Sequence, residues 1–121
     1  MNKSDFVKTG SYFEAEVDGI KVCISDIAMT DETLRLAEKV LLAYPKKIEA
    51  IAEYISQDEW IVANYKLSKE EIIKKLNKPD LLTFEKGGQL SYCENKIDCN
   101  HILLVEFGGA LDEFYEVGMD G

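Results

Sequence analysis

Three side chains suited to chemistry stand close together in the chain: Cys93, Cys99 and His101, spaced Cys-x5-Cys-x-His. Thiolates and imidazole are zinc ligands, and a hairpin over this stretch would bring Cys93 toward His101, with Asp98 or Cys23 as a fourth ligand. Structural zinc sites normally carry duplicated Cys-x2–4-Cys pairs, and that spacing is absent here. His101 is the sole histidine and hence the candidate general base. At the start of a strand it serves equally as an anchor, hydrogen-bonded to the loop from Glu94 to Asn100. No Gly-x-Ser-x-Gly, Walker loop or Gly-x-Gly-x-x-Gly occurs. Gly87-Gly88 and Gly108-Gly109 fall between strand patterns rather than ahead of helices, so they mark turns and not phosphate cradles. No two carboxylates are spaced as an acid/base couple. The expectation is therefore a protein without catalytic residues, cofactor or metal. Cys93, Cys99 and His101 are the residues on which the alternative rests, a ligand- or metal-binding protein or an enzyme.

Charge gives a second set of candidates. The 121 residues carry a net charge of −9. This argues against binding nucleic acid through its phosphates, because such binding needs lysine and arginine in excess. From Glu94 onward seven carboxylates face a single basic residue, Lys96, while Lys66 to Lys78 leans basic. Leu111, Asp112, Glu113, Phe114, Tyr115 and Glu116 place apolar groups among those carboxylates. This is the expected contact surface for a basic protein partner. A solvated acidic edge that discourages strand-on-strand aggregation has the same composition. Small acidic domains without catalytic motifs include immunity-type proteins that neutralise a toxin, an analogy of size and charge alone.

The elements that must position these residues follow from turn chemistry and side-chain period. One domain is expected at this length, with 46% hydrophobic and 31% charged residues. The N-terminus has no apolar signal segment and the sequence has no apolar run long enough to span a membrane, which predicts a cytoplasmic chain with free thiols at Cys23, Cys93 and Cys99. Residues 1–9 are polar and predicted to be loosely held. Asp18-Gly19 predicts a two-residue hairpin that sets Val17 against Ile20, Ala15 against Val22 and Phe13 against Ile24, all on one face, with the second strand running as far as Ile27. Thr30 or Asp31 caps a helix carrying Leu34, Ala37, Val40, Leu41 and Tyr44, and Pro45 predicts a break before a second helix with Ile48, Ile51, Ala52 and Ile55. Residues 57–67 show no clean period and either continue that helix or form an irregular segment packed down by Trp60. Ser68 to Glu71 is a capping box for a helix that stops before Pro79.

Leu81 to Gly121 then predicts a four-strand antiparallel meander. A three-residue loop, Lys86-Gly87-Gly88, with a glycine in the left-handed conformation sets Phe84 against Leu90. In the strand from His101 to Phe107 both faces are apolar for most of its length, which predicts a central strand covered on both sides. Segregated runs of strands and helices make the class α+β: a mostly antiparallel sheet, built of the N-terminal hairpin and the C-terminal meander, covered on one face by two or three helices.

Several pieces of the C-terminal third carry a resemblance: Leu82-Thr83-Phe84-Glu85, Gly87-Gly88, Leu90-Ser91-Tyr92, Asp98, His101-Ile102, Gly109-Ala110-Leu111 and Met119-Asp120-Gly121. They are similar to the C-terminal half of a group of uncharacterised bacterial domains, the families of unknown function numbered 2004 and 2262. Asn100 stands where that group has a glycine before the histidine, and the aromatic residue of its loop is either replaced by Ile97 or missing. The resemblance implies a bacterial chain and brings no activity with it.

Overall fold

The structure, a computed structural model, describes residues 1–120. The closing glycine of the resembled motif, Gly121, lies outside them. The class is α+β, a seven-stranded sheet in sequential order with three α-helices between its third and fourth strands. The strands are β1 (Val7–Thr9), β2 (Tyr12–Val17), β3 (Ile20–Ser25), β4 (Leu81–Phe84), β5 (Gly88–Tyr92), β6 (Ile102–Gly108) and β7 (Glu113–Asp120). All neighbours are antiparallel except β3 and β4, which run parallel because the helices α1 (Asp31–Ser56), α2 (Glu59–Tyr65) and α3 (Lys69–Leu76) carry the chain back across the sheet.

The hairpin β2–β3 has the predicted register, Val17 against Ile20 and Phe13 against Ile24. Its two turn residues both have positive φ, 52° at Asp18 and 80° at Gly19. That is the twist a two-residue loop needs, and aspartate and glycine tolerate it best. The strand ends at Ser25 and does not reach Ile27, which is exposed. A β-branched residue at Gly19 would meet the left-handed backbone penalty and crowd the Lys78 side chain, which donates to the Asp18 carbonyl. Gly19→Val is expected to cost about 1–2 kcal/mol. An unchanged denaturation midpoint would show that the turn does not hold the hairpin.

One face of the sheet is the core. Phe13, Ile24, Phe84, Gly88, Phe107 and Phe114 lie in one transverse row, and Ala15, Val22, Leu82, Leu90, Val105 and Val117 in the next. The helices bury Leu34, Ala37, Val40, Ile51, Ala52, Ile55, Ile61, Ile72 and Leu76 against these rows. The buried phenol of Tyr92 meets Tyr44 Oη of α1 at 3.0 Å, which ties β5 to the helix layer. Burial pushes the Tyr92 phenol well above its ordinary range, so the pair stays protonated and neutral.

Four expectations are corrected. The break at Pro45 does not occur: α1 runs through it as one helix. The buried stripe passes from Val40 through Tyr44 to Ile51 at unbroken helical spacing, so packing on both sides of the proline keeps the helix in phase. Residues 1–9 are not loose. Phe6 is buried, β1 pairs with β2, and the terminal ammonium lies 3.2 Å from Glu38. Residues 57–67 neither extend α1 nor hang on Trp60. Asp58 caps a separate helix by accepting the Ile61 amide at 3.1 Å, Ile61 is the buried residue, and Trp60 is half exposed. Finally, β6 is next to the edge, and the helices cover only its Leu103, Val105 and Phe107 face. Ile102 and Leu104 are half-buried on the open face.

The β4–β5 turn also differs. Leu82 faces Leu90 and Phe84 faces Gly88, so the loop is Glu85-Lys86-Gly87. Neither Gly87 nor Gly88 has positive φ. The register differs from the expected one by two residues, a shift that leaves every side chain on its predicted face. Gly88 belongs opposite Phe84 because the Phe107 ring occupies the space its side chain would take. There Phe84 and Phe107 meet edge to face, with ring centroids 6.2 Å apart.

Candidate functional site

The loop between β5 and β6 holds the sequence-derived chemical residues, and its organiser is Asn95. This side chain is buried and uses its full hydrogen-bonding capacity. Its Nδ2 donates to the carbonyls of Tyr92 and His101, both at 3.0 Å. Its Oδ1 accepts the amides of Ile97 at 3.1 Å and Asp98 at 2.9 Å. The loop is thereby clamped at both ends. His101 is anchored to it as expected, its own amide donating to the Asp98 carbonyl at 3.2 Å.

Asp98 collects three neighbours. Tyr65 Oη donates to Asp98 Oδ2 at 2.6 Å, the Asn100 amide donates to Oδ1 at 2.9 Å, and His101 Nδ1 lies 2.9 Å from Oδ2. The imidazole contact is close in distance but off the N–H axis, so the phenol is the true hydrogen-bond partner. The Tyr65 hydroxyl, then the Asn100 amide, hold the Asp98 carboxyl below its ordinary value. A carboxyl lowered on folding contributes stability that is complete above its ordinary pKa and is lost as the pH falls through the lower folded value. Tyr65→Phe should therefore move the Asp98 titration, followed by carboxyl NMR, up toward the ordinary range. An unmoved titration would assign the shift to the backbone amide instead.

Cys93 and Cys99 are exposed and free, and Cys23 is buried on β3, beneath the open face. Burial and then the neighbouring Asp80 carboxylate raise the Cys93 thiol, the reverse of what an activated nucleophile needs. Among the described residues no three of His, Cys, Asp and Glu come together as an ion site. Asn95 and Tyr65 are the site residues that sequence reasoning missed. Asn95 had a local signal, an asparagine placed to accept amides two and three residues on. The Tyr65–Asp98 contact joins distant segments and had none.

The acidic candidates fall on the β6–β7 hairpin. Leu111 is 1% exposed with φ 65° and belongs to the core, which removes it as a contact residue. Phe114 turns toward α1, its ring 5.4 Å from that of Tyr54. Asp112 is exposed but structural: Oδ2 accepts the Ala110 amide at 3.0 Å, and Oδ1 lies 3.7 Å from Lys47 Nζ. Glu113, Tyr115 and Glu116 are exposed. Tyr115 is the extra residue of a β-bulge, since Phe114 faces Phe107 and Glu116 faces Glu106. It is 60% exposed, and its hydroxyl donates to Glu113 Oε2 at 2.6 Å, which raises the phenol's pKa.

The open face of the sheet adds carboxylates that the linear pattern did not group. Glu14, Cys23, Thr83, Gln89, Glu106 and Glu116 form one transverse row, and Glu85 lies just beyond it beside Tyr12, whose phenol it raises. Glu106 and Glu116 are directly opposite each other, an arrangement that destabilises a strand pair. Neither has a lysine, arginine or histidine partner among the described residues. Comparison with protein-family models, with curated proteins and with solved structures finds no match.

Proposed function

We propose that this chain is a non-catalytic interaction domain, of the immunity or regulatory kind, whose acidic C-terminal edge docks on a basic protein partner. The observation that carries the reading is the facing pair Glu106 and Glu116, set across two strands with no compensating cation among the described residues. A like-charge pair of this kind costs stability in the isolated domain, and a partner's cations would relieve it. Glu113 and Glu116 extend the negative charge along β7, the edge strand, and Tyr115 supplies the exposed aromatic anchor. The same carboxylates keep β7 from pairing with a second copy of itself. The alternative site at His101, Cys93 and Cys99 has weaker support. Burial and the Asp80 carboxylate raise the Cys93 thiol, the reverse of what a nucleophile or a ligating thiolate needs.

Affinity capture on the immobilised chain, followed by binding measurements on the recovered partner, tests the reading. Glu113→Lys/Glu116→Lys is the variant of choice. Asp112 is unsuitable because its side chain closes the Gly108–Asp112 turn. A basic partner that binds the double variant about tenfold or more weakly supports the proposal. A partner that binds both forms equally defeats it.

A further inference from the structure

A groove of about 530 Å³ opens on the uncovered face of the sheet, between the β4–β5 turn and Tyr115. Its floor is set by strand register. Thr83 of β4 faces Gln89 of β5, and Gln89 faces Glu106 of β6. Directly opposite pairs on one face stand about 5 Å apart, so the hydroxyl, amide and carboxylate form a line of acceptors across three strands. Glu85 and Tyr115 also line the groove. Gln89 and Glu106 make no side-chain hydrogen bond or ion pair among the described residues, so both remain available to a ligand.

We infer that this groove receives an arginine side chain presented by the partner protein. The inference rests on the interaction reading above and adds the group recognised. Charge complementarity selects a cation, because Glu85 and Glu106 line the groove against a single lysine, Lys86. The lateral spread of acceptors selects a planar fork over a point charge. A guanidinium donates two parallel hydrogen bonds to the Glu106 carboxylate while a further N–H reaches the Gln89 amide oxygen. The Tyr115 ring gives the guanidinium plane a surface to stack on. Lys86 is the internal competitor, exposed on the turn and able to swing toward the same carboxylates.

The test is an NMR titration of the labelled full chain with acetyl-Gly-Arg-Gly-amide. Its uncharged isostere, with citrulline for arginine, and its lysine counterpart serve as the comparison probes. The arginine peptide is expected to shift the amides of Thr83, Gln89 and Glu106 saturably. The lysine peptide should bind about threefold more weakly, and the citrulline peptide should leave the groove unmoved. Glu106→Gln, which removes the like-charge contact with Glu116 and so keeps the fold, should weaken arginine binding about tenfold. Lys86→Ala should tighten it. Equal binding of citrulline and arginine, no saturable shift at the peptide's solubility limit, or unchanged binding to Glu106→Gln each overturn the inference. The two readings fail separately. If the peptide does not bind while a captured partner still responds to Glu113→Lys/Glu116→Lys, the groove alone is rejected. If the peptide binds while capture ignores that variant, the β7 docking edge is rejected and the groove stands.

Discussion

Asn95→Ala is expected to lower the stability of the domain by about 3 kcal/mol. The wild-type side chain fills all four of its hydrogen-bonding positions inside the protein, two with carbonyls and two with amides. Alanine satisfies none of them, and the site is closed to water, so the Tyr92 carbonyl and the Ile97 amide lose a partner without replacement. Aspartate is no rescue. It keeps the two acceptors but turns a carboxylate oxygen toward the carbonyls of Tyr92 and His101. Chemical denaturation gives the size of the effect, and hydrogen exchange at Ile97 and Asp98 gives its location. A loss under about 0.5 kcal/mol, with protection retained at both amides, would mean that water substitutes for the side chain and that Asn95 does not organise the loop.

Gly88→Ala is expected to destabilise by about 2 kcal/mol, although alanine is among the smallest changes a strand can receive. The added methyl group would stand 2.5 Å from Phe107 Cε1 and 2.8 Å from Cε2. The ring cannot withdraw, because Phe107 is buried and held edge to face against Phe84. The strain should vanish when the ring is trimmed. In Gly88→Ala/Phe107→Leu the two losses are expected to fall short of their sum by about 1 kcal/mol. Strictly additive losses would show that the glycine is required for its backbone alone.

These two positions also show how far the sequence was legible. The side-chain faces of β4 and β5 followed from alternation, but their register did not. A shift of two residues keeps every face, and only the contact between Gly88 and Phe107 separates the alternatives. The β2–β3 hairpin was legible in full because Asp18-Gly19 fixes both loop length and register. The capping box at Ser68 was legible for the same reason, since its partners lie three residues apart. Pro45 misled because a local rule was applied where tertiary packing decides. The stripe on either side of it was already in phase. Strand β1 had no pattern of its own and is held by Phe6 and by pairing with β2. In the candidate site, the acidic bias of the C-terminal stretch was visible, whereas the residues able to use it were not. Leu111 looked like an anchor and is core, and Glu106, one of the seven carboxylates, faces Glu116. The second fact depends on a bulge at Tyr115 that alternation does not reveal, and the first on a turn in which Leu111 has φ 65°.

The claim that the acidic edge exists to meet a basic surface is tested most directly by the ionic-strength dependence of association with the captured partner. Charge-steered encounter is screened by salt, while dissociation from a docked state depends on short-range contacts. The association rate is expected to fall by about tenfold or more between low and physiological salt, with dissociation nearly constant, and the slope should flatten in Glu113→Lys/Glu116→Lys. An association rate indifferent to salt, or a slope identical in the two forms, would contradict the account and leave the carboxylates of β7 as a solvated strand edge.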